Sequence, residues 1–161
     1  MSKHQTTIPQ AFEPEFIDGL RLIFEQRISF NQVLGIRLIE FAGDHVVGRV
    51  DMRPELVGHY AYNRLHGGVI SATLDAMGGV AVMAAIGARH MDEPPARRLE
   101  RFIKLGTIDL RVDYLRPGVG EYFIARAEVM RLGSRVASTR MEFRDAGDKL
   151  LSTGSAAYIV S

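Results

Sequence analysis

The 161-residue chain contains no cysteine, which removes disulfides, thiolate metal sites and a cysteine nucleophile together. It also lacks an excess of either charge. Twenty Lys and Arg against 19 Asp and Glu leave a formal net charge of +1, so no broad field recruits nucleic acid or an anionic membrane surface. No stretch reaches the roughly 20 uninterrupted apolar residues of a membrane span, and the opening MSKHQTTIPQ has no apolar segment of the kind a secretory leader carries. The expectation is a cytoplasmic protein without nucleic-acid or membrane partners. No metal-ligand set, catalytic triad or G-x-S-x-G elbow is visible either, so neither a metal nor another cofactor is expected.

What the chain does have is 47% hydrophobic residues, enough for one core at this length. Residues 1–11 read as a flexible arm and residues 12–161 as a single domain. EPEFIDGLRLIFEQRISF spaces Phe16, Leu20, Ile23, Phe24 and Ile28 as an amphipathic helix, placed as a lid. IRLIEFAGDHVVGRVDM reads as a β-hairpin turning at Ala42, Gly43 and Asp44. A long apolar helix follows from about Gly68 to Ile86. Residues 89–105, broken by Pro94 and Pro95, form an insertion with room for a short helix.

The last third alternates with period two. In TIDLRVDYLRP, Ile108, Leu110, Val112 and Tyr114 share one side while Thr107, Asp109, Arg111 and Asp113 share the other. Three more such runs follow, and the four are read as a β-meander. This order of elements gives an α+β domain, with an antiparallel sheet wrapped around one helix.

The stretch NRLHGGVISATLDAMGGVAVMAA, residues 63–85, carries the chemistry. Helical spacing puts Gly68, Ser71, Ala72, Asp75, Gly78 and Gly79 on one small-residue face. A lone carboxylate inside an apolar helix is costly to bury, and glycine inside a helix is unfavourable against alanine by about 0.5–1 kcal/mol. Gly78 and Gly79 therefore point to the close approach of a backbone or ligand, with Asp75 facing that gap. At the helix start, Gly67 and Gly68 offer N–H groups with no intrahelical partner, and the helix dipole favours an anion there. Such N–H groups suit the oxyanion of a carbonyl under attack. Asp75 then orients or deprotonates a water, or attacks directly. A thioester suits so sparse a site, because a thiolate, with a thiol pKa of roughly 8.5, leaves with little help from an acid. His66 reads as holding the turn by hydrogen bonding rather than as a general base.

LHGGVISATLD resembles the H-G-G, six-residue, aspartate signature of the PaaI-type hotdog-fold acyl-CoA thioesterases, and GTIDLRVDYLRPG resembles their central strand and its exit loop. The likeness runs over roughly residues 30–160, and its phrase from Leu110 to Gly118 is similar to the bacterial YigI-type branch. It implies a hotdog fold, an acyl-CoA substrate, and homodimers joined edge to edge that pair into tetramers. It further implies a site at the subunit boundary, Gly67 from one chain serving with Asp75 from its neighbour, and a water-positioning role for Thr107. Coenzyme A is expected over Arg116, Pro117 and Gly118 and over Leu132, Gly133, Ser134 and Arg135, where arginines would meet its phosphates. His59 and Asn63 compete for a contact to the thioester, beside Gly68.

Other readings of the same residues stand beside these. Met77 and Met83 fit either core or the adaptable lining of an acyl channel. Arg97, Arg98, Arg101 and Lys104 fit a solvated face better than a phosphate clamp. No polar residue among those assigned to the channel is placed to recognise a hydroxyl on the acyl group. Two rival functions remain: a non-catalytic acyl-CoA binding module, and a hotdog enoyl-thioester hydratase or dehydratase.

Overall fold

In a computed structural model, residues 12–161 are described; the expected arm at residues 1–11 lies outside them. Pro14, at a position that needs no backbone N–H, opens α1 (Pro14–Arg21). A π-helical turn, Leu22–Arg27, continues it, and α2 (Ser29–Leu34) closes on Gly35 in the left-handed region. The expected amphipathic helix is thus three pieces, with Phe16, Leu20 and Phe24 buried.

Strands β1 (Arg37–Phe41) and β2 (His45–Asp51) pair as the expected hairpin. A small ladder of β3 (Val57–His59) and β4 (Arg64–Leu65) leads into α3 (Gly67–Arg89). The insertion holds α4 (Pro95–Glu100) and a 3-10 turn, Arg101–Lys104. Strands β5 (Gly106–Tyr114), β6 (Tyr122–Leu132), β7 (Val136–Asp145) and β8 (Leu150–Ile159) complete the chain.

The six-stranded sheet runs β1-β2-β6-β7-β8-β5, antiparallel throughout. This corrects the four-strand meander. Of these four strands only β6, β7 and β8 pair in sequence order, whereas β5 crosses to the far edge and pairs with β8 while β6 joins β2. Alternation specifies which face of a strand is buried but not which strand lies beside it.

The sheet curves around α3. By length and composition α3 could cross a membrane, but most of it is buried in this domain. Ile70, Leu74, Met77 and Ala81 of α3 share one core with Val46, Val50, Phe123, Ala127, Met141 and Phe143 of the sheet. Each large side chain so buried contributes about 1.5–3 kcal/mol. Met77 and Met83 are fully buried, and the Met77 sulfur is seated where a Cβ on Gly48 of β2 would come within 2.6 Å.

The insertion is anchored by a residue expected to be solvated. Arg98 is fully buried, 2.6 Å from a Glu13 carboxylate oxygen, 3.3 Å from the Gly87 carbonyl and stacked over the Phe16 ring at 4.6 Å. It therefore pins α4 to α1 and to the end of α3, and composition alone cannot separate such an arginine from its less buried neighbours Arg97 and Arg101, which pair with Glu100 and Glu93.

Candidate active site

Asp75 sits midway along α3, half-buried, with the edge strand beside it. The Thr107 hydroxyl donates to Asp75 Oδ1 at 2.9 Å. The Tyr158 hydroxyl, from β8, donates to the Asp75 backbone carbonyl at 2.8 Å and lies 3.3 Å from Oδ1. Burial, reinforced by the Asp75 charge, pushes the Tyr158 pKa upward, so the phenol stays a donor.

Strict alternation would have turned Thr107 to the outer face. A β-bulge between Thr107 and Asp109 makes Ile108 the extra residue and sets Thr107 opposite Tyr158, on the helix side. Sequence reasoning missed Tyr158, although Gly78 carried its signal. A Cβ at Gly78 would fall 2.2 Å from the Tyr158 hydroxyl oxygen, so the close approach expected there is made by a side chain.

Asp75 and Thr107 line a cavity of about 240 Å³ between α3 and the α1–α2 segment. Phe24, Ile28, Phe30, Phe102 and Leu105 supply apolar walls, and Ala72, Ala76 and Gly79 its helix side. Of the lid residues expected, Phe24 and Ile28 are on this wall while Phe16 and Leu20 are in the core away from it, as are Met77 and Met83, the candidates for channel lining. The wall also has a polar member that was not foreseen. Asn31 is buried, and its amide nitrogen donates to the Phe24 carbonyl at 2.9 Å, within the π-helical turn.

At the other end, His66 is the N-cap of α3: its Nδ1 accepts the Gly68 N–H at 2.8 Å, which puts the ring proton on Nε2. The Gly67 N–H has no hydrogen-bond acceptor among the described residues. Gly67 opens on a second hollow of about 350 Å³ with Tyr114, Arg116 and Pro117. Arg116 also reaches the Leu150 carbonyl at 2.9 Å.

The remaining candidates lie apart from Asp75. His59 and Asn63 flank the exposed turn between β3 and β4, with the His59 ring against Tyr60 and Tyr62, and neither lines the Asp75 cavity. Gly133, Ser134 and Arg135 form the β6–β7 turn; Arg89 reaches the Gly133 carbonyl, and Ser134 shares a hollow with Arg97, Arg101 and Lys104.

A family model described as the thioesterase superfamily matches residues 62–152. The medium/long-chain acyl-CoA thioesterase YigI of Escherichia coli K12 is 35% identical over 138 residues, 86% of this chain and 89% of the relative. Its Salmonella typhimurium counterpart is 34% identical over the same shares. A solved Shewanella oneidensis protein related to the thioesterase superfamily superposes with a TM-score of 0.83 at 35% identity, covering 93% of this chain and 100% of that one. A Silicibacter pomeroyi thioesterase family protein, at 21% identity and a TM-score of 0.70 over 89% of this chain and 96% of its own, shares the fold.

The two adjacent glycines of α3 respond oppositely to a methyl group. Gly78→Ala collides with the Tyr158 phenol and destabilises by about 1–3 kcal/mol. Gly79→Ala meets only Leu105 and Phe24 at 3.5–3.6 Å and is neutral or stabilising, by up to about 1 kcal/mol. Urea unfolding of the two variants measures the difference.

Proposed function

Because the chain belongs to the thioesterase superfamily, we propose that it hydrolyses medium- to long-chain acyl-CoA to free fatty acid and CoA, in the cytoplasm, as a homodimer or a tetramer of two dimers. The observation that carries this reading is a carboxylate held by a hydroxyl on the wall of an otherwise largely apolar cavity: Asp75 and Thr107 beside Phe24, Phe102 and Leu105. Such a cavity takes an acyl chain and leaves its thioester next to the carboxylate.

In this mechanism Thr107 fixes Oδ1 of Asp75, and Oδ2 takes a proton from the water that attacks the thioester carbonyl carbon. As the C–O bond forms, the carbonyl oxygen becomes negative and is met by the Gly67 N–H at the positive end of a helix. Collapse of the intermediate breaks the C–S bond. The CoA sulfur leaves as thiolate and recovers the proton from Asp75.

Helix geometry supports a site shared between two chains. Positions 67 and 75 are eight residues apart on α3, which at 1.5 Å per residue is about 12 Å. The oxyanion donor must lie about 3 Å from the carbonyl oxygen, and the carboxylate about 3 Å from the water that attacks the same carbonyl. In this reading Gly67 of one chain serves with Asp75 of another, and two sheets join along β5, an edge strand with Ile108 and Tyr114 more than half exposed. Arg116 beside Gly67, and Gly133, Ser134 and Arg135 at the β6–β7 turn, are the seats for CoA phosphates. A hydratase needs a base with a partnering acid. His66 instead holds a backbone N–H and contacts no carboxylate among the described residues, which favours hydrolysis over the hydratase reading.

Asp75→Asn keeps the shape and removes the charge, and kcat falls by about 10²–10⁴ in a folded protein. Free-thiol release from a panel of acyl-CoAs measures this, and turnover near the wild-type rate would remove Asp75 from the mechanism. Across saturated acyl-CoAs from two carbons upward, kcat/KM climbs several-fold per methylene, at about 0.8 kcal/mol each, until the cavity is full. Gly79→Leu places side-chain atoms between Leu105 and Phe24 and moves that optimum to shorter chains. A flat profile, or a maximum at acetyl-CoA, would contradict the assignment of the cavity.

A further inference from the structure

The first turn of α3 is gripped from outside the helix. Tyr114, the last residue of β5, lays its ring against the side of Gly67 where a side chain would stand, 3.3 Å from the position of a Cβ. Its hydroxyl donates to the Gly67 carbonyl at 3.0 Å. Ser71, one turn further on, brings its hydroxyl to 3.1 Å from the same carbonyl and into contact with the Tyr114 hydroxyl. At the other end of that peptide, the Gly68 N–H is held by His66 Nδ1. The peptide between two consecutive glycines, the residues with the widest backbone freedom, is therefore tied at both its C=O and its N–H.

We infer that Tyr114, assisted by Ser71, is a positioning residue that holds the Gly67 N–H on the developing oxyanion. The inference rests on the reading of Gly67 as the oxyanion donor. First turns of helices fray, and a glycine pair frays more readily than other sequences. An N–H that drifts by about 1 Å loses most of its value to the transition state. The substrate carbonyl, being nearly neutral, depends on that N–H far less. The tether thus acts on kcat and leaves KM largely alone.

Tyr114→Phe keeps the ring against Gly67 and deletes the hydroxyl. It lowers kcat about tenfold with KM unchanged within about twofold, because only an interaction strengthened in the transition state is weakened. Affinity for an acyl-CoA trifluoromethyl ketone, whose hydrated carbonyl carries the tetrahedral oxygens, drops by the same factor. A thioether analogue of acyl-CoA, which has no carbonyl, binds as it does to the wild type. Ser71→Ala combined with Tyr114→Phe loses less than the product of the two single effects, since both hydroxyls act on one carbonyl.

A wild-type kcat and ketone affinity in Tyr114→Phe overturns the inference. So does a loss shared by both analogues or tracking a lowered Tm, which marks a tyrosine that is merely structural. Asp75→Asn separates the two levels: if it is inactive while Tyr114→Phe is normal, the tether falls and the proposed function stands. If Asp75→Asn still turns over, the reading beneath the tether falls as well.

Discussion

The placement of one edge strand against one helix governs everything else in this domain. β5 runs antiparallel to α3, so that Thr107 near its start meets Asp75 while Tyr114 at its end meets Gly67. The two groups of the proposed site that must be held, a carboxylate and a helix N-terminal N–H, are thereby fixed by a single strand. The bulge at Ile108 makes this work: without the extra residue the side-chain period of two would turn Thr107 away from the helix. Among the described residues the outer edge of the same strand is unpaired, so the strand that organises the proposed site also offers the edge along which the proposed dimer would form.

The carboxylate follows from this arrangement. A charge set into an apolar helix survives only where hydrogen bonds compensate its partial desolvation. Thr107 supplies one to Oδ1, and the Tyr158 phenol ties the backbone of the same residue through a hollow that Gly78 leaves open. The rest of the fold serves that position. Arg98 pins the insertion and α1 to the end of α3, and the π-helical turn with α2 delivers Phe24, Ile28 and Phe30 as the wall facing Asp75. Asn31 closes the wall by binding the Phe24 carbonyl in the π turn, where the change in hydrogen-bond register disturbs the regular ladder.

Much of this was legible in the order of residues, and the remainder was hidden for definable reasons. The apolar run from Val69 to Ile86, the turn at Ala42–Asp44 and the alternation after Thr107 announced helix, hairpin and strands because each is a local signal. The partner of β5 was not local: period-two alternation is identical whether a strand neighbours β6 or β8. A bulge leaves no compositional trace at Ile108. Tyr158 lies 83 positions from Asp75, and only the cost of glycine at position 78 hinted that something large approached there. His66 was readable as a turn-holding residue because a histidine just ahead of a helix start is within reach of a first-turn N–H. Arg98 was not readable at all, since its neighbours in sequence share its charge and differ only in burial.

Subunit complementation probes whether one acyl-thioester site is built from two chains. Two inactive proteins are prepared: Asp75→Asn, which keeps the N–H donor, and Gly67→Pro, which deletes that N–H at a helix position where proline is otherwise accepted. After mixing under conditions that exchange subunits, acyl-CoA hydrolysis is followed by thiol release. A hybrid dimer contains one site with both defects and one with neither, so activity returns toward a quarter of the wild-type rate per total site as exchange reaches its statistical limit of about half hybrid dimers. Hybrid dimers that form, as shown by their mass, yet remain inactive would contradict the shared site, as would full wild-type activity in a dilute monomer.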